Sequence, residues 1–139
     1  MKINQTKAAS TATGKKAASM LVPDSLQELI VEGMKDRKAK NIAVLDLRNV
    51  KNAIADYFIV CSGTSDTQVD AITDSVEERV WKSTRQNPAH KEGKANREWI
   101  LLDYVDIVAH VFKHDKRKYY ALEDLWGDAI IHYVPDTDI

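Results

Sequence analysis

The sequence predicts an α/β (α+β) fold, a mixed β-sheet of about five strands flanked by helices, and three observations carry that expectation. Apolar runs of strand length recur at Ile42 to Leu47, Tyr57 to Cys61 and Ile107 to Val111. Two capping boxes, Ser25 with Glu28 and Ser65 with Gln68, each open an apolar-periodic segment. The late strands follow one another with little room for a crossover helix, so the sheet is mixed rather than doubly wound.

Taken in order, the first helix starts where Ser25 caps free backbone amides, and Leu26, Leu29, Ile30 and Met34 form its buried stripe. Strands at Ile42 to Leu47 and Tyr57 to Cys61 are separated by the polar connection Lys51-Asn52-Ala53. Ser62-Gly63-Thr64-Ser65 breaks the second strand, and Val69, Ile72, Val76 and Val80 carry a helix to about Arg85. This helix is expected to make the one right-handed crossover. Pro88 and Gly93 bracket a loop or short edge strand. Two further strands fill Arg97 to Phe112, interrupted by an acidic, aromatic corner at Asp103 to Asp106. A charged turn, His114 to Lys118, then leads to a closing helix with Tyr119, Leu122, Leu125, Trp126 and Ala129 on its apolar face. Ile42 to Leu47 and Ile107 to Val111 are apolar on both faces and are expected to be central strands.

Length and charge narrow the function. The chain has 139 residues, 44% hydrophobic and 29% charged, which suits one domain able to bury a core without staples. Residues 1 to 22 hold Lys2, Lys7, Lys15 and Lys16 and no acid, leaving 16 bases against 21 acids in the remainder. The segment lacks apolar periodicity and is read as a disordered basic tail, with residues 23 to 139 as the single domain. A transit peptide is the alternative, but arginine and an amphipathic stripe are absent from it. The acidic body disfavours nucleic acid as the main partner and accommodates a basic protein. One cysteine and no run long enough to cross a bilayer favour a reducing, cytoplasmic setting without a membrane anchor.

Chemistry is hard to find. Cys61 sits in an apolar run, where a cysteine is usually a small buried hydrophobe. Four histidines and that cysteine form no compact cluster, so no metal and no cofactor are expected. Ser62-Gly63-Thr64-Ser65-Asp66 resembles an anion-holding turn, yet Gly63 turns the chain and Ser65 caps the helix without either needing a ligand. Asp56, Asp66 and Asp70 lack the spacing of paired metal-binding carboxylates. Asp103 and Asp106 are conceivable as acid and base, but aspartate is common at strand turns because it bonds its own backbone.

Contact is the remaining reading. Trp99, Leu101 and Asp103 share one strand face, with Ile100 and Leu102 on the other. Tryptophan, leucine and aspartate together have the mixed character of an interface, though packing of the sheet accounts for the same residues.

Four blocks narrow this further: Asp56-Tyr57-Phe58-Ile59-Val60-Cys61-Ser62-Gly63-Thr64-Ser65, Glu92-Gly93, Trp99 to Phe112, and Tyr119-Tyr120-Ala121-Leu122-Glu123-Asp124-Leu125-Trp126-Gly127-Asp128-Ala129. In this order and spacing, from about residue 25 to 129, they resemble the ribosomal silencing factor family, RsfS, also called Iojap. The resemblance implies a mixed sheet flanked by helices, nucleotidyltransferase-like without the catalytic carboxylates, and no enzymatic activity. It implies binding to the large ribosomal subunit through its fourteenth ribosomal protein, at the subunit-joining face. Association with the small subunit is thereby blocked and translation repressed under nutrient limitation. The matching partner-binding residues are Trp99, Leu101, Asp103, Tyr104, Asp106 and His110. Val105 stands where many members have glycine, and the tail lies outside the family core.

Ribosomal proteins are typically basic, so Asp103 and Asp106 are expected to steer association while Trp99 and Leu101 supply the desolvated centre. A weak contact of the tail lysines with ribosomal RNA, and a homodimer of the free protein, are compatible with this arrangement. The rival readings are a large-subunit assembly factor and a nucleotidyltransferase-like enzyme using the Gly63 turn.

Overall fold

In a computed structural model of the chain, residues 25–116 and 128–136 are described. Helix α1 (Leu26–Asp36) and strands β1 (Lys40–Asp46) and β2 (Tyr57–Gly63) come first, followed by helix α2 (Asp66–Thr84). Strands β3 (His90–Glu92), β4 (Trp99–Asp103), β5 (Ile107–Lys113) and β6 (Ile130–Tyr133) complete the described elements. All six strands form one sheet in the order β3-β4-β5-β2-β1-β6.

Both helices begin where their serines predict. The Ser25 hydroxyl accepts from the Glu28 amide at 3.1 Å, and the Ser65 hydroxyl accepts from the Gln68 amide at 3.1 Å. The Gln68 side chain reaches past Ser65, its carbonyl accepting from the Thr64 amide at 2.6 Å and from the Thr64 hydroxyl at 2.9 Å. Its amide nitrogen donates to the carbonyls of Arg37 and Lys38, tying the start of α2 to the exit of α1. Past its last turn, α2 stops at Arg85, which adopts the left-handed conformation with φ of 59°.

The sheet is mixed because of a single parallel seam. β2 runs parallel to β5, whereas β1 with β2, β4 with β5, β3 with β4 and β1 with β6 are antiparallel. The connection across the seam consists of α2, β3 and β4, so the chain crosses one face on α2 and returns through a meander. Both runs read as central are interior, β1 between β2 and β6 and β5 between β4 and β2.

The structure departs from the sequence expectation in two places. The sheet has six described strands rather than about five, because β6 pairs with β1 through Ala43 to Asp46. Ile130-Ile131-His132-Tyr133 is half-buried at best and lacks apolar alternation, so no periodicity announces it. Second, residues 114–116 are helical where a charged turn is expected. No glycine, proline or asparagine interrupts His114-Asp115-Lys116, and an early acid complements the helix dipole. Most of the expected closing helix, and the basic tail, lie outside the described residues. Asp128 and Ala129 form a turn and a bend leading into β6.

Alternation along the strands divides the core in two. On the helix side, Leu29, Ile30 and Met34 of α1 and Val69, Ile72, Val76 and Val80 of α2 pack against Val44, Ile59, Ile100, Leu102 and Val111. Full burial of each such side chain contributes roughly 1.5–3 kcal/mol. The opposite face carries Ala43, Leu45, Phe58, Val60, Val108 and Phe112, with Trp99, Leu101 and Ile131 partly buried against them.

α1 and α2 touch closely at Gly33, whose carbonyl accepts from the Ser75 hydroxyl at 2.8 Å. A Cβ at Gly33 meets the Val76 Cα at 2.8 Å, and Val76 is fully buried. Gly33→Ala therefore pushes the helices apart, and the urea midpoint falls by an amount equivalent to about 1–3 kcal/mol.

Candidate functional site

The strip formed by β4 and β5 on the face away from the helices is built by register. Trp99 lies opposite Phe112, Leu101 opposite His110, and Asp103 opposite Val108. The Trp99 ring stacks on Phe112 with centroids 5.1 Å apart, and the Phe58 ring meets His110 edge-on at 4.6 Å. Trp99 Nε1 donates to His110 Nδ1 at 3.0 Å. An indole nitrogen only donates, so the neutral imidazole carries its proton on Nε2. That nitrogen is buried and has no hydrogen-bond partner among the described residues. Burial pushes the His110 pKa down to about 3, which keeps the ring neutral at physiological pH.

The six expected contact residues fall into two groups. Trp99, Leu101 and Asp103 lie half-buried on one face, and Asp106 is exposed at the corner. Tyr104 and His110 are each 2% exposed. Tyr104 belongs to the helix-side core, where burial first and the Glu77 carboxylate second raise its phenol well above the ordinary range. Its role at the corner is support from beneath, just as His110 supports Trp99.

The corner closes as a γ-turn. The Asp106 amide donates to the Tyr104 carbonyl at 3.0 Å across Val105, whose φ is 77°. This hand of γ-turn is rare and strained. For a β-branched residue the left-handed region costs about 1–3 kcal/mol, which glycine avoids. Asp103 eases the turn by accepting from the Val105 amide at 2.7 Å. The Asp106 carbonyl takes the amides of Asp56 at 2.8 Å and Tyr57 at 3.2 Å, joining the corner to the start of β2.

Ion pairs hold β3, the β3–β4 loop and the end of β5 against α2. Asp66 faces Lys113 at 3.3 Å, Asp70 faces Arg97 at 3.1 Å, and Glu77 faces Lys91 at 3.2 Å. The acids at the start of α2 thus engage cations of this chain. Gly93, at φ of 89°, lies so close to β4 that a Cβ there collides with the Trp99 carbonyl. Beside it, Glu92, Gly93, Asn96, Glu98, Trp99 and Leu101 line a shallow depression of about 200 Å³. Glu92 and Glu98 are thus acidic neighbours of Trp99 that strand parity alone does not single out. The adjacency of Glu98 and Trp99 in sequence is the one available signal.

The other residues weighed for chemistry lie apart from this strip. Cys61 is fully buried. The Thr64 amide and hydroxyl in the glycine turn both serve Gln68. Among the described residues no group of three or more His, Cys, Asp or Glu is placed to hold a metal, and no helix is long and apolar enough to cross a membrane.

Solved structures share this architecture of one mixed sheet with paired helices. A crystal structure of a protein from Chromobacterium violaceum is similar with a TM-score of 0.69 and 33% identity, over 73% of this chain and 83% of that one. A crystal structure from Bacillus halodurans gives a TM-score of 0.64 and 32% identity, over 82% and 97% of the two chains. The protein is therefore an α+β single-sheet protein of that structural class. Residues 21–139 match the family model described as ribosomal silencing factor during starvation. The ribosomal silencing factor RsfS of Bacillus subtilis is 38% identical over 105 residues, 76% of this chain and 87% of that protein. The chain belongs to the ribosomal silencing factor family.

Proposed function

We propose that this protein is a non-catalytic repressor of translation that associates with the large ribosomal subunit. On this reading it docks on the fourteenth ribosomal protein at the face that meets the small subunit, and it acts by occupancy. Family membership supports the ribosome as partner. The observation that supports a contact surface is the half-covered strip of Trp99 and Leu101, rimmed by Asp103 and Asp106, opposite the helix layer. An aromatic centre with a charged rim is the anatomy of a specific protein interface. Opposite charge on a basic ribosomal protein speeds encounter, and the aromatic centre slows release. A folded domain on the joining face excludes the other subunit sterically, without a catalytic group.

Sedimentation with purified subunits, offered separately and together, tests this. The protein is expected to travel with the large subunit, to leave the small subunit unbound, and to reduce the joined particle in proportion to its occupancy. Migration with the small subunit, or an undiminished joined particle at saturating occupancy, refutes it.

A further inference from the structure

At the end of the sheet, beyond the proposed strip, lies a second depression of about 270 Å³, between the β1–β2 loop and the β4–β5 corner. Two large apolar residues at its rim, Ile54 and Val105, are 78% and 64% exposed. Val105 holds this position from the strained apex of the γ-turn, where glycine incurs no strain. Strain at an exposed apolar side chain brings the fold nothing in return, which makes contact outside the chain its natural use. The carboxylates of Asp56 and Asp106 stand exposed in the same lining, and neither forms an ion pair among the described residues. Arg48, the cation in the lining, is held by Asp46 through two bonds of 2.9 and 2.7 Å and lies over the Tyr57 ring at 5.2 Å. Asp56 also acts on this guanidinium through space, but the lining holds two carboxylates against one cation, so its balance is acidic, which repels phosphate and attracts a cationic peptide.

We infer that this corner is a second seat of the same interface, taking an aliphatic side chain carried on a lysine- or arginine-bearing segment of the protein partner. The inference rests on the ribosomal reading above. The apolar pair covers the aliphatic group, and Asp56 and Asp106 receive the flanking cations. The Asp106 carbonyl bonds to the Asp56 and Tyr57 amides fix the two sides of the seat relative to each other, so it is preformed.

The test titrates the full-length chain, as wild type, Val105→Gly and Ile54→Ser, against purified large subunits at fixed salt, alongside urea unfolding of each. Each substitution is expected to weaken binding about tenfold, while the unfolding midpoint of Val105→Gly is no lower than wild type. Lower affinity in a protein at least as stable separates a contact role from a structural one. Wild-type affinity in both variants overturns the inference. So does a changed self-association of the free protein, measured by analytical ultracentrifugation, with subunit affinity intact. If the wild type itself fails to bind large subunits, the ribosomal reading falls and this inference with it. If the wild type binds and only these two variants behave as wild type, the corner alone is refuted.

Discussion

Trp99→Ala combined with Asp106→Lys is expected to abolish co-sedimentation with large subunits while leaving a folded protein. The indole stacks on Phe112, donates to His110 and remains half-exposed, so its outer surface is available to a partner while its inner surface is anchored. Such an anchored aromatic is a typical hot spot, and its truncation costs upwards of 2 kcal/mol of binding, about thirtyfold. Reversing the exposed Asp106 adds repulsion against a basic partner, and together the changes weaken association by about a hundredfold or more. Truncating Trp99 also costs the fold about 2–3 kcal/mol through the lost stack, so far-UV and near-UV circular dichroism must accompany the measurement. Trp99→Phe retains the ring contact with Phe112 and is expected to recover part of the binding. Undiminished sedimentation of a folded double variant excludes this strip as the contact surface.

The protein is expected to lose stability in mild acid through His110. Its folded pKa of about 3 lies below the unfolded value of 6.5, so between these limits the unfolded chain binds the extra proton. Stability is therefore full above pH 6.5 and falls as pH drops toward 3. From the size of the shift, the loss is about 2 kcal/mol by pH 5 and about 3 kcal/mol by pH 4. Ordinary carboxylates titrate mainly below pH 5, and of the four histidines His110 alone is buried while His90, His114 and His132 are exposed, so the window from 6.5 to 5 reports chiefly on His110. Urea midpoints across that window in wild type and His110→Gln check this. The variant is less stable at neutral pH, since it disturbs the Trp99 bond, but its stability changes little between pH 6.5 and 5. A parallel decline in both proteins excludes His110 as the source.

Much of the fold was legible because its signals are local. Ser25 and Ser65 announce helix starts by hydroxyl chemistry, and the parity of Trp99, Leu101 and Asp103 against Ile100 and Leu102 assigns the faces of β4 without knowledge of its neighbours. β6 was not legible, because its pairing depends on an open edge of β1 more than eighty residues earlier, and its own residues are mostly exposed. The candidate site could be named from the sequence as a set of residues but not arranged as a surface. Tyr104 and Asp106 both flank Val105, yet the γ-turn sends one beneath the sheet and leaves the other in solvent. Only the φ of Val105 decides that, and a valine gives no local hint of a left-handed conformation. Ile54 was invisible as a neighbour of Val105, because the bonds from Asp106 to the start of β2 that bring them together are non-local.

The parallel seam between β2 and β5 has a kinetic consequence. β1 with β2 is a near-neighbour pair, as is the β3–β4–β5 meander, whereas Tyr57 meets Ile107 only after fifty intervening steps of chain. Closing so long a loop is entropically slow, so the two local modules are expected to form early and zip together late. Trp99 and Leu101 belong wholly to the later module in sequence, but Ile54 and Val105 come from opposite sides of the seam. The corner therefore exists only in a chain that has completed its slowest step, and a partner that needs both residues recognises only finished molecules.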